Sequence, residues 1–344
     1  MFVVYTTKDN LIRLCSENES SWYKIIMRVK KVVLSEEEEW RDNPFLLKLH
    51  QSGVDFLIVE QSIINDITTN HPEYVLDDPC SAYLLNIDAE KAKEIQSKFG
   101  VICQEQTSNA NVLTQRGWNI DVMKTDAGKS WESFFSGHNC PVNSLLIIDR
   151  YFFSSEVGET IEDSFNNLKQ ILNALLPLNS PDNIQQVALV FDFSTFNHKD
   201  KKDDGSEYTF KALAEKVNKI KRSVRNYSYS LELLSINSNC YKYEDTHDRR
   251  IFTNYSITIA THKLKAFRKN SNSLCSQNIS FRRLFSEGLE AGDKSTLPAI
   301  TQKNIIRLLQ ESIKTSKNSM EYAYNGQVAK RGEFEIKNRL LTFF

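Results

Sequence analysis

In the segment Thr246-His247-Asp248-Arg249-Arg250-Ile251-Phe252-Thr253-Asn254, an imidazole and a guanidinium stand two residues apart at the head of an apolar run. On an extended strand that spacing turns both side chains to one face. A neutral imidazole nitrogen can attack phosphorus or carry a proton, and a guanidinium offers phosphate oxygens a planar fork of donors. Such a pair therefore suits a phosphodiester substrate. The same residues also read as a turn histidine beside an Asp248–Arg249 surface ion pair, an interaction of little energy.

Other constellations carry less. Gly128-Lys129-Ser130 copies the end of a phosphate-binding loop, but Met123 stands where the loop's first glycine is required, and no apolar strand is expected before it. There is no GxGxxG and no GxSxG. Cys240, His247, His262 and Cys275 lack the short paired spacing of a structural zinc site, so neither metal nor cofactor is implied. His262 does not repeat the motif, because Leu264 occupies the position that needs a cation.

Charge is segregated along the chain. Residues 1–198 carry 16 Lys and Arg against 28 Asp and Glu, a net −12, whereas residues 199–283 carry 18 against 9, a net +9. Such a basic segment suits a polyanion. The expected nucleic-acid contacts are Lys219, Lys221, Arg222, Arg225, Arg250, Lys263, Lys265 and Arg268, with Tyr227, Tyr229, Tyr241, Tyr243, Phe252, Tyr255 and Phe267 interleaved. Cations with aromatics fit single-stranded nucleic acid, through phosphate neutralisation and base stacking. The alternative is that the aromatics are core and the cations cover a helix surface.

The elements that must position these residues follow from hydrophobic periodicity. Strands are expected at 2–6, 54–60, 145–153, 187–193 and 230–236, and helices at 21–34, from Ser35 across Glu36–Glu39, at 89–99 ended by Gly100, at 161–175, at 210–220 and at 305–313. Residues 104–143 read as irregular, 247–259 as two short strands turning at Asn254, and the last residues as a hairpin turning near Gly326 or Gly332. Strand and helix alternation after residue 142 implies right-handed crossovers and a mainly parallel sheet. At 344 residues the chain is too long for one compact core. No apolar run is long enough to span a membrane, no secretory signal is visible, and the six cysteines are scattered; reduced thiols in a cytoplasmic protein are expected. Asp149, Arg150 and Asp192 are expected at the carboxyl ends of two strands, where open parallel sheets bind ligands, although Asp149 equally reads as a partner of Arg150.

The strand order followed by HDRRIFTN resembles one half of the phospholipase D superfamily, whose motif is HxKx4D. The resemblance covers roughly residues 142–290 and also extends to the catalytically silent phospholipase-D-like domain of microtubule-interacting-and-trafficking proteins. It implies His247 as nucleophile, Arg249 in place of the phosphate-binding lysine, and Asn254 in place of the acid. Because only one motif is present, it implies a homodimer or larger complex to supply the second histidine. The chain is thus read as α/β, with an acidic N-terminal α/β domain (1–141), a phospholipase-D-like domain with a mainly parallel sheet flanked by helices (142–290), and a C-terminal helix and hairpin (291–344). The expected function is phosphodiester handling or phosphate binding on nucleic acid, as a nuclease or phosphodiesterase if active. Fold-level analogy adds an effector or accessory role in a bacterial-type antiviral defence system. The alternatives are a non-catalytic interaction or assembly module and, ranked last, lipid headgroup binding.

Overall fold

Short runs rich in valine, leucine and isoleucine fold as strands because β-branched and aliphatic side chains pack well on a pleated surface. The computed structural model describes residues 2–16, 20–29, 31–34, 44–51, 53–58, 64–105, 110–123, 128–156, 158–196, 205, 207–237, 249–268, 275–287 and 297–342. In the N-terminal part, β1 (Val3–Thr6), β2 (Lys31–Leu34), β3 (Asp55–Ile58), β4 (Ser81–Leu85) and β5 (Ile102–Glu105) form a sheet of order β3-β2-β1-β4-β5. All of its pairings are parallel. Helices α1 (Lys8–Ser16), α2 (Ser21–Ile26), α3 (Pro44–Gln51) and α4 (Ala89–Phe99) accompany it.

The expected helix over 21–34 is corrected here. It stops at Ile26, and Val32 and Val33 instead pair with Val4 and Tyr5 of β1. Ser35 and Glu36–Glu39 lie outside the described residues. The 89–99 helix forms as read: the Asp88 side chain accepts from Lys91 N at 2.7 Å, and Gly100 ends it with φ of 64°.

The second sheet has the order β14-β13-β9-β8-β7-β10-β11-β12-β6. Its strands are β6 (Trp118–Val122), β7 (Ser144–Ile148), β8 (Gln186–Phe191), β9 (Ser230–Ser235), β10 (Arg249–Thr253), β11 (Ser256–Ala260), β12 (Gln277–Arg283), β13 (Glu321–Tyr324) and β14 (Gln327–Val328). Helices α5 (Ile161–Leu175) and α6 (Phe210–Val224) make the crossovers between the parallel strands β7, β8 and β9, and α7 (Pro298–Ser316) follows the last long strand. Every other pairing is antiparallel, so the expectation of a mainly parallel sheet is corrected to a mixed one. The reason is the β10–β11 hairpin, which reverses the chain and recruits β12 and β6 in turn. One strand comes from before residue 142 and two from after residue 290, so the sheet crosses both boundaries drawn from sequence. β6 also supplies a strand ahead of Gly128, where none was expected, although Met123 still stands in the position of the missing glycine.

Alternation divides the strands between two cores. Leu145, Ile147, Val187, Leu189, Leu231 and Leu233 pack beneath α5 and α6. Leu146, Ile148, Ala188, Val190, Leu234 and Phe252 share a second core with Ile306 and Leu309 of α7 and with Leu11, Leu14, Trp22 and Ile25 of the N-terminal part. Cys80, Cys103, Cys140 and Cys275 are buried. Among the described residues, no helix is long and apolar enough to cross a membrane.

Gly100 is constrained twice, by its left-handed φ and by the Val142 carbonyl, which an added Cβ would overlap. Gly100→Ala is therefore expected to lower stability by about 2 kcal/mol or more, measured by urea unfolding; an unchanged midpoint would contradict this tight packing.

Candidate functional site

The order β8-β7-β10 brings three chemistry-bearing positions to one edge of the second sheet. β7 ends at Ile148 and β8 at Phe191, so Asp149 and Asp192 follow directly. β10 runs antiparallel to β7 with Arg250 opposite Ile148, and the same register sets Arg249 beside Asp149. Arg249 Nε stands 3.4 Å from Asp149 Oδ1, and Arg150 Nε stands 3.9 Å from Asp192 Oδ2. The Nε of each arginine is buried without a hydrogen bond, and neither guanidinium hydrogen-bonds to any described residue. Both lie near Tyr151, whose ring centroid is 5.1 Å from the Arg150 guanidinium carbon and 5.4 Å from that of Arg249.

The carboxylates behind the arginines are held firmly. Asp149 is fully buried; Tyr151 N donates to its Oδ1 at 3.0 Å and Leu264 N to its Oδ2 at 2.9 Å. Burial pushes the Asp149 carboxyl above its ordinary pKa, against the opposing pull of Arg249, these two N–H groups and Lys265. Asp192 Oδ1 accepts from Ser194 N at 2.9 Å and Ser194 Oγ at 2.6 Å, which turns the chain after β8. The edge thus presents two cationic forks backed by two anions, an arrangement suited to an oxyanion that bonds both forks.

Comparison with protein-family models, with curated proteins and with solved structures finds no match to this chain.

The residues expected to form the motif are distributed as follows. His247 lies outside the described residues. Arg249 is at the edge just described, with its side chain 13% exposed. Asn254 is at the far end of β10, about 16 Å away at strand rise, and is wholly buried. Its Oδ1 accepts from Asn143 N at 2.9 Å and Ser144 N at 3.0 Å, and its Nδ2 donates to Pro79 O at 2.6 Å and Asn143 Oδ1 at 2.8 Å. Next to it, Tyr255 Oη donates to Ser81 O and accepts from Ile102 N. Asn254 therefore fastens the two sheets together, and the structure does not bring it to Arg249.

Most of the expected nucleic-acid contacts face inward. Lys263 and Lys265 are buried and both pair with Glu159, and Lys263 also reaches Glu156. Burial raises Glu159, but hydrogen bonds from the two ammoniums outweigh it and hold the carboxyl below its ordinary pKa. Arg225 donates to the carbonyls of Asn173, Leu176 and Pro177 and so closes the end of α5. Arg268 donates to Gly158 O, and Arg250 is buried and engaged. Lys221 is buried over the Tyr229 ring, with Nζ 2.8 Å from Asn325 Oδ1. Lys219 and Arg222 stay exposed. Of the interleaved aromatics, Tyr229, Phe252, Tyr255 and Phe267 belong to the core, while Tyr241 and Tyr243 lie outside the described residues. Among the described residues, no group of three or more His, Cys, Asp or Glu side chains is placed to hold a metal ion.

Tyr151 was missed by sequence reasoning. Its signal was available in the Asp-Arg-Tyr that follows the apolar run 145–148, where a large side chain leaves the sheet edge beside a charge pair.

Asn254→Asp would restore the acid of the phospholipase D motif, yet it replaces a donor by an anion facing Pro79 O and Asn143 Oδ1. A stability loss of about 2–4 kcal/mol is expected in chemical denaturation; unchanged or raised stability would contradict the clamp. Burial lowers Lys221 to about 8 from 10.5. Because the folded value lies below the unfolded one, the buried ammonium destabilises fully below about pH 8, and that penalty fades as the pH rises toward 10.5. The stability of wild type relative to Lys221→Met should accordingly rise over that interval, as followed by urea unfolding; a constant difference would exclude the effect.

Proposed function

We propose that the protein is a phosphate-binding, phosphodiester-handling protein acting on nucleic acid, with Arg150 and Arg249 as the seat for the phosphate. One observation carries this reading: two guanidiniums converge at one sheet edge, each with an ion-pair partner and neither with a hydrogen bond to a described residue. Asp149 and Asp192 hold the forks in place, and a phosphate that accepts from both supplies the hydrogen bonds they lack. The resemblance to the phospholipase D superfamily supports the same assignment, since Arg249 falls on that family's phosphate-binding cation.

His247 precedes Arg249 by two residues and converts binding into cleavage. Its imidazole nitrogen forms a bond to phosphorus as the bond to the leaving oxygen breaks, and that oxygen takes up a proton from the His247 of a second copy. Water then cleaves the phosphorus–nitrogen bond and restores the imidazole. A second reading, a non-catalytic assembly module, is favoured by the inward engagement of Lys221, Arg225, Lys263 and Lys265, which thins the basic surface.

The test measures binding and cleavage of labelled single- and double-stranded DNA and RNA at low salt. Wild type is expected to bind, Arg150→Ala to weaken binding about tenfold or more, and His247→Ala to abolish cleavage while leaving binding intact. Binding unaffected by His247→Ala and without cleavage would select the assembly module, and no binding to any of the four probes would overturn the assignment to nucleic acid.

A further inference from the structure

We infer that the seat takes a single nucleotide, its phosphate on Arg150 and Arg249 and its base on the Tyr151 ring, rather than a run of phosphate backbone. This rests on the phosphate seat proposed above and adds the class of ligand that fills it. Tyr151 is 41% exposed although both neighbouring guanidiniums lie near its ring. An aromatic ring left open beside unbonded donors has the two features that nucleotide recognition needs, a π-face for the base and a fork for the phosphate.

The other expected stacking residues do not compete. Phe252, Tyr255 and Phe267 are fully buried, Tyr229 is nearly so, and the hydroxyl of Tyr227 is bonded to Pro177 O. Nor do the exposed cations Lys219 and Arg222 extend the seat. α6 leaves the carboxyl end of β8 and returns to the start of β9, so it runs antiparallel to both strands. Lys219 and Arg222, on its last turns, therefore stand toward the opposite edge of the sheet from Arg150, on a helix about 22 Å long. A backbone bound at Arg150 and Arg249 gains nothing from them.

The experiment measures the affinity of the full chain for adenosine 5′-monophosphate, ribose 5-phosphate, and a twelve-nucleotide single strand with and without a 5′-phosphate. Base stacking predicts that the nucleotide binds about 5- to 150-fold more tightly than ribose 5-phosphate. Tyr151→Leu should erase that difference while keeping the affinity for ribose 5-phosphate, and Tyr151→Phe should retain it. Contact with one or two phosphates predicts a salt slope for the oligonucleotide near −1, at about −0.7 per phosphate. If the free nucleotide and the phosphorylated strand bind equally, the seat reads a chain end; if only the free nucleotide binds, it reads a soluble mononucleotide, and either supports the inference. Equal affinity for nucleotide and ribose 5-phosphate, or a slope steeper than about −3, overturns it and leaves the phosphate seat standing. Failure of all four probes removes the seat itself.

Discussion

The buried carboxamide of Asn254 determines where both ends of β10 lie. Its oxygen receives the first two backbone N–H groups at the head of β7, and its nitrogen donates across to the segment leading into β4. Tyr255 adds a hydroxyl shared between Ser81 and Ile102, so one turn holds the parallel N-terminal sheet against the mixed one. With Thr253 opposite Leu145 and Arg250 opposite Ile148, the strand has no freedom to slide. A slip of one residue would turn every side chain of β10 to the other face. Phe252 would leave its core, and Arg249 would lose Asp149. The charged edge is thus positioned from the far end of the strand, by a residue about 16 Å from it.

The second feature that governs the site is the way charge is taken into the fold. Lys263 and Lys265 share Glu159, while Asn167 accepts from Ala266 N and Phe267 N and donates to Phe267 O. Together with the Leu264 N–H on Asp149, these contacts lock residues 263–267 against the chain leaving β7. Removing any one member would leave a buried charge or amide without its partner, which costs more than the intact pair contributes. The positive excess of residues 199–283 is therefore partly internal strutting, and the surface is less basic than the composition implies.

Local signals made the central unit legible. Ile161, Phe165, Leu168, Ile171 and Leu172 recur at helical spacing and the flanking strands are continuous apolar runs; the helix falls where periodicity put it, while the two strands end at Ile148 and Phe191, short of the expected 153 and 193. The stretch 21–34 was misread because Val29, Val32 and Val33 continue the helical spacing of Trp22 and Ile25 by coincidence, while their β-branched side chains favour the ladder with β1. The antiparallel additions were illegible for a different reason: pairing β6 with β12 joins residues more than 150 apart, and no window of sequence contains both. At the site, Asp149, Arg150 and Asp192 were readable as strand ends. The burial of Asn254, Lys263 and Lys265 was not, since Pro79, Glu156 and Glu159 are each about a hundred residues or more away along the chain.

The outer strands of the mixed sheet come from distant parts of the chain, the edge strand β6 near residue 120 and β13 with the edge strand β14 beyond residue 320. During synthesis β7, β8 and β9 can assemble as soon as α6 and β9 have left the ribosome, because their contacts are sequential. The flank of β9 then waits for almost ninety more residues before β13 covers it. At the usual elongation rate of about 5–20 residues per second, the nascent chain exposes an unpaired strand for several seconds. That interval leaves one flank of β9 open to mispairing until the strand that carries the buried Tyr322–Glu232 bond is made.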